Sequence, residues 1–281
     1  MSFSPDFIAP GPSIRFDRVT LRYGATSVIS DLSLTVASGE LLVLLGPSGS
    51  GKTSLLRSIN RMVEPAEGRI LIDDADIAGR DRVRLRRSVG YVIQGGGLFP
   101  HRTVQDNVAT VPRLLGASPS QARETARSTL ARVGLSPDLA ARYPAQLSGG
   151  QQQRVGVARA LAADPRILLM DEPFGALDPI TRRSLQRETL RLHASTGATI
   201  VFVTHDVDEA LALGDRIVVL EAGGRIAQAA SPADILAHPA SDFVAELLGL
   251  SAGDRTLHLE PRDGEEIVAD RTGRPVGILE R

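Results

Sequence analysis

The chain has 281 residues, 42% hydrophobic and 23% charged, with 32 Lys+Arg against 33 Asp+Glu and a formal net charge of -1. That balance gives no general pull toward nucleic acid or anionic lipid, and the length suits one large domain or two smaller ones. Cysteine is absent, which excludes disulfides, thiolate metal sites and cysteine nucleophiles, and no apolar run approaches the roughly 20 residues that cross a bilayer. Met1 to Pro12 lacks a basic region followed by an apolar core, so it does not read as a signal peptide. The expectation is a protein kept in the cytoplasm, whose membrane role, if any, comes through a partner.

Residues 1–13, rich in Ser, Pro and Gly, read as a flexible lead-in. Ile14 to Tyr23 and Ser27 to Val36 alternate as two strands with a turn at Gly24. The apolar run Leu41 to Leu45 then enters Gly46-Pro47-Ser48-Gly49-Ser50-Gly51-Lys52-Thr53, and Ser54 to Ile59 continues at helical spacing. Strand, glycine-rich loop and helix carry the spacing G-x-x-x-x-G-K-T of a P-loop. The glycines let backbone N–H groups turn inward around the α- and β-phosphates, where a Cβ would block several conformations. Lys52 brings a point charge to the β- and γ-phosphates, and the Thr53 hydroxyl is placed to ligate Mg²⁺. The following helix presents its positive N-terminal end to the same anion. An ordinary Gly/Ser loop is the bland alternative. Against it, Lys52 is the only lysine in a chain whose positive charge is otherwise arginine.

Gly68 to Asp73 reads as a strand, and Asp73, Asp74 and Asp76 read as a solvated turn, since the glycine and final glutamate of a calcium loop are misplaced. Arg80 to Arg87 carries five arginines and reads as a solvated helix face. A short strand, Ser88 to Gln94, ends at Gly95-Gly96-Gly97. From Val104 to Tyr143 the pattern is helical, broken at Pro112, Gly116 to Pro119 and Gly134, so an all-helical lobe is inserted between halves of an α/β core. Ile167 to Met170 and Ile200 to Thr204 are fully apolar, as parallel strands buried on both faces are, with an amphipathic helix, Thr181 to Ser195, between them. Ile217 to Leu220 and Arg225 to Ala227 form a hairpin, Ser231 to Leu250 a helical extension, and residues 251–281 a polar tail, of which 268–279 has the pattern of one hairpin.

Ile167 to Met170 delivers Asp171 and Glu172 at a strand's C-terminal end, where open α/β sheets bind ligands. Adjacent strand residues face opposite ways, so the two acids divide their roles: Asp171 for the Mg²⁺ shell, Glu172 to hold and deprotonate a water. Leu147-Ser148-Gly149-Gly150-Gln151-Gln152-Gln153-Arg154 opens a helix running to Leu161, with Ser148 as its cap. A cap does not need two glycines and three glutamines. Here the sequence resembles the ATP-binding-cassette ATPases, whose signature is L-S-G-G-Q. The resemblance implies that Ser148, Gly150 and Gln151 of one subunit close over the γ-phosphate held by the P-loop of another. The remaining motifs match in order: Gln94 the Q-loop glutamine, which senses Mg²⁺ and water and touches the transporter partner, Gly175-Ala176-Leu177-Asp178 the D-loop across the dimer, and His205 the switch histidine that contacts the γ-phosphate. Tyr23 matches the aromatic that stacks on adenine; a strand core residue is its alternative.

The resemblance covers residues 14–250. It implies an α/β fold: a P-loop NTPase (RecA-like) core, an antiparallel β subdomain, and an inserted α-helical subdomain at about 95–160. It implies ATP and Mg²⁺ as cofactors, with Glu172, His205, Gln94 and Lys52 catalytic and Thr53, Gln94 and Asp171 at the metal. Nucleotide would be held by Tyr23, Gly46 to Ser54, Ser148, Gly150, Gln151 and Asp178. A homodimer is implied, peripheral on the cytoplasmic face of the inner membrane, bound to permease subunits and served indirectly by an extracytoplasmic solute-binding protein. No nucleic acid is expected.

The runs Tyr91 to Gln94, Gly97 to His101, Ala109 to Gly116, Asp171 to Arg182 and Val201 to Asp206 are similar to the quaternary-amine importers, which take up glycine betaine, choline or carnitine as osmoprotectants. An importer for sulfonate, nitrate or polyamine, or a non-transport member, is the alternative. Gly95 stands where that group commonly has a second glutamine and is expected to loosen the Q-loop. The segment after 250 is too short for the tandem regulatory domain (cystathionine-β-synthase type) of many members. Tryptophan is absent and aromatics make up 4% of the chain, so an aromatic cage for a quaternary ammonium must lie in another subunit.

Overall fold

A computed structural model of the chain describes residues 9–175, 177–251, 255–262 and 265–278. Ala176 of the D-loop match, the first eight residues and Leu279 lie outside these. In chain order the first half comprises β1 (Ile14–Tyr23), β2 (Thr26–Val36), β3 (Leu41–Leu45), α1 (Lys52–Ile59), β4 (Glu67–Ile72), β5 (Ala75–Asp76), α2 (Arg82–Ser88) and β6 (Val89–Val92). Four helices follow: α3 (Val104–Val108), α4 (Thr110–Leu114), α5 (Pro119–Arg132) and α6 (Gly149–Leu161). The core resumes with β7 (Ile167–Asp171), α7 (Pro179–Thr196), β8 (Thr199–Thr204), α8 (Val207–Leu213), β9 (Arg216–Leu220), β10 (Ile226–Ala230), α9 (Pro232–Ala237) and α10 (Asp242–Leu247).

The main sheet has the order β10-β9-β3-β8-β7-β6, with β3, β6, β7, β8 and β9 parallel and β10 an antiparallel edge. Its strands are apolar on both faces because both faces are covered. Leu41, Val43 and Leu45 pack into one core with the helical lobe. Leu42 and Leu44 alternate into a second core with α1 and the antiparallel sheet β2-β1-β4-β5. The P-loop, at the end of central strand β3, therefore lies on the layer between α1 and the small sheet.

The acids after β4 are all engaged, as a turn requires. Asp73 and Asp74 take left-handed φ of 48° and 58°, Asp73 accepts from Ser13 N, Asp74 pairs with Arg15 at 3.0 Å, and Asp76 caps a 3-10 turn at Ala78. The arginine run is less solvated than its sequence reads. Arg80 donates to Ile72 O and Arg86 to Asn60 O and Arg61 O, which pins α2 to the turn after α1.

The segment after 250 differs from the expected polar tail. β11 (Leu257–Arg262), β12 (Glu265–Asp270) and β13 (Pro275–Ile278) form an antiparallel sheet in that order, the last two being the hairpin anticipated over 268–279. Ala269, with no exposed surface, gives it an inner side, and Arg255 ties it to α8 through Asp208 at 2.6 Å. Alternating charges hid a strand pattern whose apolar members, Leu257 and Leu259, are half exposed.

Candidate functional site

Two P-loop glycines occupy backbone that a side chain could not share. Gly51 has φ +90°, and a Cβ there would lie 2.6 Å from Ile29 Cδ1; one at Gly46 would lie 2.3 Å from Leu220 O. The loop thus closes against both the small sheet and β9. Inside it the Lys52 side chain is 5% exposed, and its ammonium donates to Gly46 O and Pro47 O, each at 2.8 Å, and to Ser50 Oγ at 3.4 Å. Among the described residues no carboxylate lies within ion-pair distance of it, and burial pushes its pKa below the usual lysine value, with Glu172 and Asp171 acting in the opposite sense. A desolvated cation with only neutral partners is a receptor for an anion.

Next to it, Thr53 Oγ1 donates to Asp171 Oδ1 at 2.8 Å. Asp171 is 1% exposed, and its other oxygen accepts from the Tyr91 hydroxyl at 3.1 Å and from Arg57 at 3.4 Å. Among the described residues no group of three or more His, Asp or Glu side chains is placed to hold a metal. A hydroxyl and one carboxylate at the mouth of a phosphate loop nonetheless match Mg²⁺, a hard cation that completes its shell with substrate oxygens and water rather than a protein cage.

Glu172 parts from Asp171 by more than strand alternation. β7 ends at Asp171, and Glu172 takes φ +45°, uncommon for a residue with a side chain and held here by its N–H on Val203 O at 3.0 Å. Its carboxylate turns to the sheet's C-terminal edge, where Oε2 accepts from Gln94 Nε2 at 3.0 Å and Oε1 lies 3.3 Å from His205 Nδ1. Strand ends β6, β7 and β8 thereby bring Gln94, Glu172 and His205 together. They line a cavity of about 460 Å³ with Gly149, Gly175 and Leu177.

Tyr23, half exposed at the end of β1, shares a hydrogen bond of 3.2 Å with Ser54 Oγ, so it stands beside the start of α1. The signature and D-loop residues are held by their own helices. Ser148 caps α6 and exchanges hydrogen bonds with Gln151, and Gly150 packs so closely on Thr181 that a Cβ would sit 2.8 Å from its Cγ2. Asp178 caps α7 through Ile180 N and Thr181 N, and the Thr181 side chain first, then these backbone bonds, hold its carboxyl below the usual range. Among the described residues no hydrogen bond links these four to Lys52 or Thr53.

Gly95, Gly96 and Gly97 all take left-handed φ, and the carbonyls of the last two are held while Gly95 is exposed. Arg159, on α6, donates to Gly97 O at 2.7 Å and to Gly96 O at 3.0 Å. Arg159, Arg57 and Tyr91 are site neighbours that sequence reasoning missed. Tyr91 had a signal in its position three residues before Gln94, yet its contact with Asp171 exists only because β6 pairs with β7.

The ABC transporter family matches residues 29–175 of the chain. Over 255 residues the chain is 49% identical to the choline transport ATP-binding protein OpuBA of Bacillus subtilis (strain 168), covering 91% of this chain and 66% of that protein. It therefore spans just under two thirds of OpuBA's length. Over 272 residues it is 47% identical to the glycine betaine uptake system ATP-binding protein YehX of Escherichia coli (strain K12), covering 93% and 88% respectively. A dimeric structure of a post-hydrolysis state of the ATP-binding cassette MJ0796, bound to ADP and Pi, matches with a TM-score of 0.72 at 33% identity, covering 78% of this chain and 98% of that one. Sequence motifs, sheet order and these matches agree: the chain belongs to the ABC transporter family and has the fold of its ATP-binding cassettes.

Proposed function

We propose that this chain is the ATP-hydrolysing subunit of an importer for osmoprotectant quaternary amines such as glycine betaine, choline or carnitine. The observation that carries the ATPase reading is the buried Lys52 ammonium, paired only with neutral oxygens inside a glycine-built loop. Lys52, the loop N–H groups and the start of α1 bind the phosphates of ATP, and Tyr23 offers a ring beside Ser54 for the base. Thr53 and Asp171, with Gln94, would hold Mg²⁺, which neutralises charge on the phosphate oxygens. Glu172 orients a water and takes its proton, with Gln94 and His205 fixing the carboxylate from either side.

Ser148, Gly150, Gln151 and Asp178 complete the site from a second copy of the chain, in a homodimer. Their lack of any hydrogen bond to Lys52 or Thr53 among the described residues of one chain and the dimeric state of the matching cassette both support this. Closure of the dimer drives permease subunits at the cytoplasmic face of the inner membrane, and an extracytoplasmic binding protein delivers the solute. A groove of about 410 Å³ between α2 and α4 suits a permease helix: Leu114 and Leu115 are half exposed in it, with Arg84 and Arg87 on one side and Asp164 and Arg166, the latter bonded to Ala9 O and Pro10 O, on the other. Arg84 and Arg87 make no side-chain hydrogen bond or ion pair among the described residues, which favours a helix with acidic residues flanking its apolar side.

Uptake of labelled glycine betaine, choline and carnitine in cells lacking the chain tests both levels. Wild type restores uptake and Glu172→Gln does not. The double variant Arg84→Glu/Arg87→Glu loses uptake while the purified chain keeps its ATPase rate. If no solute of the three moves while the purified chain hydrolyses ATP, the quaternary-amine assignment fails and the importer reading with another solute, such as a sulfonate or polyamine, takes its place.

A further inference from the structure

Asp171 is held from both sides, and only one side belongs to the P-loop motif. Thr53 takes Oδ1 at 2.8 Å. On Oδ2, Arg57 Nε donates to the Tyr91 hydroxyl oxygen at 3.2 Å, which leaves that hydroxyl's own proton to donate to Asp171 at 3.1 Å. A second Arg57 nitrogen reaches the same Oδ2 at 3.4 Å. The donors come from two elements, α1 and β6, and meet on Asp171 at the end of β7; β6 runs on within two residues to Gln94.

We propose that Arg57 and Tyr91 are positioning residues for Asp171: together they fix its carboxylate rotamer so that Oδ1 stays turned toward Thr53, where the metal belongs. A carboxylate held at one oxygen turns about its χ2 torsion, whereas one held at both presents a single oxygen to a cation before the cation arrives. The relay also makes Asp171 sensitive to the strand carrying the Q-loop. A displacement of β6 moves the Tyr91 hydroxyl, and with it the oxygen that faces Thr53. The inference rests on the reading of Thr53 and Asp171 as metal-holding residues.

The test uses the full chain as wild type, Tyr91→Phe and Arg57→Gln. Tyr91→Phe keeps the ring and deletes only the hydroxyl; Arg57 is 41% exposed, so an amide there remains solvated and the fold is retained. Two quantities are read: affinity for a fluorescent ATP analogue in EDTA, and half-saturating Mn²⁺ for the protein-bound EPR signal with a non-hydrolysable analogue in excess. Metal-free nucleotide affinity is expected to stay within about twofold of wild type, while Mn²⁺ affinity weakens about tenfold in Tyr91→Phe and by a similar or smaller factor in Arg57→Gln. Variants that melt at lower temperature yet bind Mn²⁺ as wild type does would show a structural role only and overturn the proposal. Wild type that binds neither analogue nor Mn²⁺ overturns the site reading and the clamp with it; wild type that binds both, with variants that match it, overturns the clamp alone.

Discussion

Glu172→Gln is expected to lower ATP turnover by about 10²–10⁴-fold, the range a general base contributes, while nucleotide binding survives. Glutamine has the shape of glutamate, accepts the Gln94 hydrogen bond through its amide oxygen, and leaves Asp171 and the P-loop untouched. What it lacks is the basic carboxylate: with the amide oxygen on Gln94, an NH2 group stands where the oxygen facing His205 was. The left-handed backbone at position 172 is held by the Val203 carbonyl and does not depend on the side chain, so the fold is expected to persist. Phosphate release by the purified chain and equilibrium binding of ATP, measured side by side, separate the two functions. With the proton-accepting step removed, nucleotide stays bound, and the dimer proposed above should accumulate with ATP on size exclusion. Turnover within tenfold of wild type would remove Glu172 from the role of base and leave it a water-orienting residue.

Much of this site was legible in the sequence because its parts are local. G-x-x-x-x-G-K-T fixes a loop whose glycines must adopt backbone closed to other residues, as the contacts at Gly46 and Gly51 bear out. The parallel core was legible for a similar reason: Leu41 to Leu45 and Ile200 to Thr204 have no polar face, and each strand feeds two cores. The assembly of Gln94, Glu172 and His205 came from the family's motif order rather than from their spacing, which spreads them over more than a hundred residues. Physics places them together because β6, β7 and β8 are parallel neighbours whose ends share one edge. The hidden parts were contacts across elements. Arg159 reads as one more arginine on a helix, yet it grips the glycines after Gln94. Arg57 and Tyr91 sit on different elements and meet at a third. The sheet after 250 escaped because its strands alternate charged and apolar residues with both kinds exposed, a pattern that also fits an unstructured polar segment.

Lys52→Met is expected to weaken ATP binding about 100-fold, the equivalent of losing charge-assisted hydrogen bonds worth roughly 1.5–3 kcal/mol. Its effect on the protein without nucleotide should be small, for a reason that lies in how the lysine is buried. Burial lowers the folded-state pKa of Lys52 below its unfolded value, so the charged form is disfavoured in the folded chain. That penalty is fully present below the folded pKa, where both states are protonated, and is relieved as pH rises toward the unfolded value. Methionine removes the penalty and fills a similar volume, but it also deletes the hydrogen bonds to Gly46 O and Pro47 O. The two changes oppose each other, and the melting temperature without nucleotide should move by only a few degrees. Wild type melts higher as ATP is added, since binding to the folded state alone stabilises it, and the variant should show that rise only at far higher nucleotide concentration. Thermal melts across an ATP series give both quantities at once. A variant that melts far below wild type without ATP would assign Lys52 a structural role in the loop. One that keeps the nucleotide-dependent rise would place the phosphates away from Lys52. The expected pattern, unchanged stability with lost response, identifies a charge kept in a dry loop at a thermodynamic disadvantage because the anion it receives is a ligand rather than a residue.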